Sequence, residues 1–279
     1  MIVFTGLTAA YYSHLTFDAL DAVLVLIGGV LLHASVNAFN NYFDYRSGID
    51  QKTLKTPFSG GVDLIVKGSM KPSAALTVAA TCLLGAGVIG VYFLSRFWWP
   101  LLPIMIFGAI AIVFYTPVFS KLPALSEILA GIGFGFMGLG TYVTQTGVID
   151  APGISILVPV SILVGLLLFL NEFPDSDVDR GAGRKHLVIL LGKKRAAWVY
   201  VGGLVATYLS ILVSIAVRAA PVETLLSLLT IPIACRASIT TLRNYDKTLE
   251  LIPALGMNVM VILATIALLG VGFLVGAVV

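Results

Sequence analysis

Residues 161–180 read SILVGLLLFLNEFPDSDVDR, an apolar run that passes directly into a segment with four carboxylates. Asn171, Asp175 and Asp179 are spaced four apart, so they share one face of a helix, whereas Asp177 points elsewhere. Clustered carboxylates repel one another unless a cation neutralises them, and oxygen ligands of this kind suit Mg²⁺. The stretch therefore predicts a membrane helix that ends in a metal site. The alternative is a solvated acidic helix end.

A second junction of the same kind lies earlier in the chain. The apolar segment 20–43 ends in Asn40-Asn41-Tyr42-Phe43-Asp44, and Asn40 and Asp44 each lie 131 residues before their counterparts Asn171 and Asp175. This weak repeat predicts one domain, residues 1–279, built from two related halves, about 1–120 and 121–279. Coincidence between two polar helix ends is the alternative.

The composition indicates that lipid is the main solvent of this chain. Hydrophobic residues make up 58% of it and charged residues 11%, against about 25% charged residues in a soluble domain. The apolar runs are continuous, without period-two alternation, which favours helices over a barrel. We expect an all-α polytopic membrane protein with nine transmembrane helices around a central cavity, at roughly 1–12, 20–43, 73–94, 99–119, 124–147, 153–173, 196–217, 222–241 and 252–277. The first run is half a span long, so we expect a truncated first helix.

The basic residues predict the orientation. Loops after the second, fourth, sixth and eighth segments hold 15 of the 17 Lys and Arg residues, and only Arg96 and Arg218 fall on the other side. Because basic loops stay cytoplasmic, we expect a multi-pass cell-membrane protein whose even-numbered loops and N-terminus face the cytoplasm. Both acidic motifs then lie on the cytoplasmic side.

Basic residues follow each acidic motif and would help to bind an anion. Lys67 and Lys71 come after the first motif, and Arg184 and Lys185 come after the second. Cations of this kind bind a diphosphate and stabilise it as a leaving group. The alternative for each is a basic loop residue with no ligand.

The paired motifs, in this order, resemble the UbiA superfamily of intramembrane prenyltransferases. Further stretches resemble its menaquinone-forming, 1,4-dihydroxy-2-naphthoate prenyltransferase branch: the step from Asp44 to Asp50 across Ser47-Gly48, and then Tyr115-Thr116-Pro117, Gly140-Thr141-Tyr142, Gln145-Thr146-Gly147 and Ala182-Gly183-Arg184-Lys185-His186-Leu187. The sequence departs from that branch at Pro174, where Arg is usual, and in lacking a double glycine beside Tyr115 and the Arg-Pro start.

The resemblance implies a site that holds Mg²⁺ and a diphosphate, and a reaction that transfers a prenyl group. Its metal ligands would be Asn40, Asp44, Asp50, Asn171, Asp175 and Asp179. Catalysis would rest on Asp44, Asp175, Asn40 and Asn171. The remaining candidates for substrate binding are Arg46, Lys67, Lys71, Arg184, Lys185, Tyr115 and Tyr142, the two tyrosines because aromatic faces stabilise a carbocation.

The expected partners are an isoprenyl diphosphate donor, a lipophilic or aromatic acceptor of the quinone-precursor type, and the lipid bilayer, with no nucleic acid. Two alternatives stay open at this point. One is prenyl transfer to a glycerol-phosphate ether lipid precursor. The other is a cation-coupled transporter, since acidic residues on paired membrane helices also suit transport.

Overall fold

The structure, a computed structural model, describes residues 1–15, 17–51, 55–59, 61–62 and 64–279. The regular elements within these ranges are all helical. The α-helices are α1 Ile2–His14, α2 Ala19–Ser47, α3 Pro72–Phe114, α4 Leu125–Thr146, α5 Ala151–Gly181, α6 Leu187–Leu191, α7 Lys193–Ala216, α8 Ile231–Asn244 and α9 Thr248–Gly276. Two 3₁₀ segments, Phe119–Lys121 and Val222–Thr230, complete the set.

In the described part of the chain, seven helical stretches are long and apolar enough to cross a membrane. They are α2, α3, α4, α5, α7, the continuous stretch Val222–Asn244 and α9. The prediction of an all-α multi-pass membrane protein is confirmed. The count of nine stays a prediction, because α1 has 13 residues and is about 20 Å long, against about 30 Å of hydrocarbon.

Helix α3 contains the third and fourth predicted segments and folds back on itself between them. Phe97 departs from helical geometry, with φ −136° and ψ 46°, and Pro100 follows without an N–H to donate. A Cβ placed on Gly90 would lie 2.2 Å from the side chain of Met105. In one straight helix those two residues would be about 22 Å apart. The two halves of α3 are therefore neighbouring antiparallel arms.

Helix α5 is the central element of the bundle. Apart from Ser161, its side chains are apolar on all sides from Ile156 to Leu170, a pattern typical of a buried helix. Ile156, Leu163 and Leu170 are almost completely buried, and α5 packs against α1, α4, α7 and α9. The packing fixes its C-terminal end, which carries the second acidic motif.

Small residues let α4 and α5 approach closely. A Cβ on Gly131 would lie 2.3 Å from the backbone oxygen of Ser161, and one on Gly135 would lie 2.8 Å from that of Leu157. Helices in membranes gain stability from such close packing. The backbone of the neighbouring helix occupies the space that a larger residue would need.

We expect Gly131→Ala to destabilise the protein by about 1–3 kcal/mol, because a side chain here must push two helices apart. Gly133→Ala is the matched control: it lies on the same helix, and apart from the helix's own backbone no atom lies within 4 Å of its added Cβ. That change should be neutral or stabilising by up to about 1 kcal/mol. Thermal unfolding in detergent measures both, and equal melting temperatures for the two variants would contradict this account of the α4–α5 contact.

Candidate active site

The C-terminal ends of α2 and α5 meet at a cavity of about 300 Å³. All six predicted metal ligands line it, and so do two of the predicted substrate-binding residues, Tyr115 and Arg184. The six are Asn40, Asp44, Asp50, Asn171, Asp175 and Asp179. The structure thus brings together two motifs that are 131 residues apart in the sequence.

The end of α2 is built to turn the chain back towards Asp44. Gly48 adopts φ 74°, a left-handed conformation that glycine takes without steric cost. Its N–H and that of Ile49 both reach the Asp44 carbonyl oxygen, the latter at 3.2 Å. The next residue, Asp50, is thereby returned to the cavity, where its carboxylate is buried and lies 3.8 Å from Lys55 Nζ.

The loop after α5 is held in place by backbone hydrogen bonds. The Arg184 N–H donates to the Asp179 carbonyl at 3.0 Å, the Lys185 N–H to the Ser120 carbonyl at 3.3 Å, and the Ala124 N–H to the Lys185 carbonyl at 3.1 Å. This connection fixes the direction in which the Arg184 side chain enters the cavity.

Arg184 links the two acidic motifs. Its Nη2 donates to Asp44 Oδ1, and its Nη1 donates to Asp179 Oδ1 at 3.2 Å. Burial alone would lower the pKa of Arg184, but the two carboxylates outweigh it and raise that pKa above its usual range. The guanidinium is thus a permanent cation between an aspartate of α2 and an aspartate of α5, a position suited to an anionic ligand.

The carboxylates and amides around the cavity fit a magnesium ion. Asn171 Oδ1 is buried and has no hydrogen-bond partner among the described residues, so an oxygen ligand is available there. Asp44, Asp50 and Asp179 are 8% exposed or less. Several carboxylates so close together are costly without a cation, and an all-oxygen set is what Mg²⁺ prefers.

Tyr115 lies just after α3 and lines the same cavity. Loss of water, together with the nearby Glu172 carboxylate, raises its pKa well above the usual range. The phenol therefore keeps its proton and offers a hydroxyl donor and an aromatic face.

Other predicted substrate-binding residues do not line the cavity in the described part of the chain. Lys67, Lys71, Lys185 and Arg46 are all exposed, and Arg46 donates to the Tyr42 hydroxyl at 3.2 Å. Basic loops at a membrane surface need no ligand to explain them.

Tyr142 is also placed away from the site. It is wholly buried, and its hydroxyl lies 2.8 Å from Ser13 Oγ, near the opposite end of α4. As helical spacing predicts, Asp177 faces away from the metal ligands: its side chain is 81% exposed and pairs with Lys193 at 3.5 Å.

Three buried residues beside the cavity were not among the predicted site residues. Glu127, Glu172 and His186 offer ligand atoms that lie within 4.8 Å of one another, and Glu172 and His186 line the cavity. Glu172 and His186 stand inside motifs quoted above. The available signal was Glu172, an acidic residue next to Asn171 in an apolar helix. Glu127 comes from the start of α4 and gave no such signal.

Comparison with known sequences places the chain among prenyltransferases. The family described as the UbiA prenyltransferase family matches residues 1–262. The 1,4-dihydroxy-2-naphthoate octaprenyltransferase of Bacillus subtilis (strain 168) is 32% identical over 203 residues, which cover 68% of this chain and 64% of that enzyme. The UbiA prenyltransferase domain-containing protein 1 of Danio rerio is 29% identical over 237 residues, covering 82% and 67%.

Solved structures share the fold at low sequence identity. The apo structure of a UbiA homolog from Aeropyrum pernix K1 aligns with a TM-score of 0.75 at 20% identity, covering 98% of this chain and 97% of that one. A UbiA homolog from Archaeoglobus fulgidus, bound to DMAPP and Mg²⁺, aligns with a TM-score of 0.65 at 17% identity, covering 97% and 96%.

Proposed function

Because this chain belongs to the UbiA prenyltransferase family, we propose that it transfers a prenyl group from an isoprenyl diphosphate to an aromatic acceptor of the quinone-precursor type. The match covers 64% of the length of the Bacillus enzyme, so the proposal also rests on the residues of this site. The observation that carries it is the convergence of Asp44, Asp179 and Arg184 on one cavity.

The metal ligands proposed are Asn40 and Asp44 of α2, Asp50 after it, and Asn171, Asp175 and Asp179 of α5. Mg²⁺ bound there would neutralise the diphosphate and help it to leave. The Archaeoglobus homolog was solved with a prenyl diphosphate and Mg²⁺, which supports the same use of this cavity. Asp44 and Asp175 come from facing helices, and the pair would hold the donor in one orientation.

The remaining side chains act on the donor and on the cation that forms from it. Arg184 would stabilise the negative charge on the departing diphosphate. Tyr115 lines the cavity, and its ring would stabilise a carbocation there. A dry cavity would keep water from quenching that cation. The acceptor's aromatic carbon would then attack it and give up the proton or CO₂ that it carried, which restores the aromatic ring.

The choice of acceptor is tested with a radiolabelled prenyl diphosphate against a small panel. A dihydroxynaphthoate, a hydroxybenzoate and a glycerol-phosphate ether would be offered to the purified protein. The Bacillus and Haemophilus influenzae relatives are named for naphthoate prenylation, so we expect label in the naphthoate product. Label in the ether alone would replace the aromatic acceptor by a lipid precursor.

We expect Arg184→Gln to lower kcat/KM for the prenyl donor by about thirtyfold to a hundredfold. This corresponds to roughly 2–2.7 kcal/mol, within the range for hydrogen bonds to charged groups. Arg180→Gln is the matched control, since Arg180 is exposed and belongs to the same stretch of chain. Steady-state kinetics with varied donor measures both variants, and equal losses would assign the effect to general surface charge.

The orientation follows from the basic loops, which would place the cavity on the cytoplasmic side. In a chain without Cys82 and Cys235, we expect Lys247→Cys to resist an impermeant thiol reagent added outside intact cells. Val148→Cys, between α4 and α5 and 43% exposed in the parent, should react. Labelling of Lys247→Cys but not Val148→Cys would reverse the orientation.

A further inference from the structure

A compact group of carboxylates and one imidazole lies beside the proposed magnesium ligands. It comprises Glu127 at the start of α4, Glu172 in α5 and His186 in the loop before α6, and all three are buried. The Leu187 N–H donates to Glu127 Oε1 at 2.6 Å, and Ser126 Oγ donates to Glu127 Oε2 at 2.7 Å. These bonds hold Glu127 in place.

Two atoms of the group face each other without a hydrogen bond. His186 Nδ1 and Glu172 Oε2 are buried and have no hydrogen-bond partner among the described residues. The His186 side chain is 2% exposed and that of Glu172 is 9% exposed. Buried polar atoms almost always have a partner, so these two atoms need an explanation.

The distance between them fits a shared metal ion better than a hydrogen bond. His186 Nδ1 and Glu172 Oε2 are 3.6 Å apart, and a contact of that length is not a hydrogen bond. Two ligands about 2.1 Å from a tetrahedral ion lie roughly 3.4 Å from each other.

The other imidazole nitrogen is arranged as it is in many metal sites. His186 Nε2 lies 3.2 Å from Asp179 Oδ2. A carboxylate that accepts from one ring nitrogen leaves the lone pair of the other free for a metal, and such pairs orient metal-bound histidines. Donation from Nε2–H to Asp179 would leave Nδ1 without a proton, and Nδ1 faces Glu172.

The two carboxylates also lack a basic partner. Neither Glu127 nor Glu172 pairs with a Lys or Arg in the described part of the chain, and Arg184 is already shared between Asp44 and Asp179. Buried carboxylates are costly unless they are paired or bind a metal.

We propose that Glu127, Glu172 and His186 bind a divalent transition-metal ion of the Zn²⁺ or Mn²⁺ class, separate from the all-oxygen magnesium ligands. An imidazole with two carboxylates favours such ions over Mg²⁺. The ion would join α4, α5 and the loop that carries Arg184. It would thereby hold Arg184 against the two acidic motifs, so it is a positioning site. The proposal stands on the geometry of these three residues and does not depend on prenyl transfer.

The first test uses a chain in which His186 is the sole histidine. The chain has three histidines, and His14 and His33 are both exposed, so the double variant His14→Gln/His33→Gln keeps the buried site intact. Purified through a histidine-free tag and loaded with Mn²⁺, it should show the ¹⁴N coupling of a coordinated imidazole in pulsed EPR. Excess Mg²⁺ should leave that signal in place. Absence of the coupling in Mn²⁺-loaded protein would overturn the proposal.

Zn²⁺ equilibrium dialysis in excess Mg²⁺ gives the second test. Wild type and His14→Gln should retain one Zn²⁺ per chain, whereas His186→Gln and Glu172→Gln should bind it at least about tenfold more weakly. Size-exclusion chromatography checks that each variant is folded. Equal Zn²⁺ retention by His186→Gln and wild type would overturn the proposal. Neither test contains a prenyl donor, so failure here leaves the proposed function standing, and the reverse also holds.

Discussion

Asp175→Asn and Asp44→Asn should each lower kcat/KM by about a thousandfold, since each removes one negative charge from the proposed ligands of the metal and its bound diphosphate. The double variant should be little worse than either single one, because residues that act through one unit lose their effects together. A radiolabelled prenyl transfer assay with saturating Mg²⁺ measures all three.

Asp177→Asn is the matched control for these substitutions. Asp177 belongs to the same acidic motif, but its side chain is 81% exposed and pairs with Lys193. The control should keep its activity within about twofold, since an exposed ion pair contributes little. Undiminished turnover by Asp175→Asn, or full activity of wild type in excess chelator, would show that the reaction does not depend on a metal bound by these motifs.

The convergence of the acidic motifs was predictable because it depends on local spacing. Asn171, Asp175 and Asp179 recur every four residues, and Asn40 and Asp44 repeat that interval at the end of another apolar run. Residues on one face of a helix stay together whatever the rest of the bundle does. Two such polar faces at the same membrane surface are therefore expected to meet in one site.

Tyr142 belongs to a motif that predicted a site residue, but the topology of the helices excludes it from the site. Helix α4 begins at the site, and Tyr142 lies sixteen residues after Ser126, or about 24 Å away. The predicted order of segments already placed the end of the fifth segment, 124–147, at the membrane surface opposite the carboxylates. An aromatic residue in a quoted motif therefore had to lie far from the carboxylates, and the structure places it against Ser13.

Glu127 and His186 could not be found by spacing. Their neighbourhood depends on the α4–α5 contact and on a loop that returns to α4, where the Leu187 N–H meets a carboxylate 60 residues earlier. Contacts of that kind are set by packing between helices, and one sequence carries no local pattern for them. Arg184 was predicted as an anion-binding residue, but its simultaneous contact with Asp44 and Asp179 needed the fold.

A non-hydrolysable prenyl diphosphate analogue should stabilise the protein against heat only when Mg²⁺ is present. Ligand that binds the folded state alone adds about 2.7 kcal/mol at a hundred times its dissociation constant. Inorganic pyrophosphate should add less, because it cannot fill the apolar part of a cavity lined by Ile49, Phe58 and Leu168.

The same measurement separates an enzyme of this kind from a cation-coupled transporter. A transporter that used these carboxylates would respond to its ion and would have no reason to recognise a prenyl diphosphate. The stabilisation should disappear in Asp179→Asn, which loses a proposed metal ligand that also accepts from Arg184 and contacts His186, and it should persist in Asp177→Asn. A folded wild type that shows no thermal shift with analogue and Mg²⁺ together would exclude the prenyl donor and favour the cation-coupled transporter.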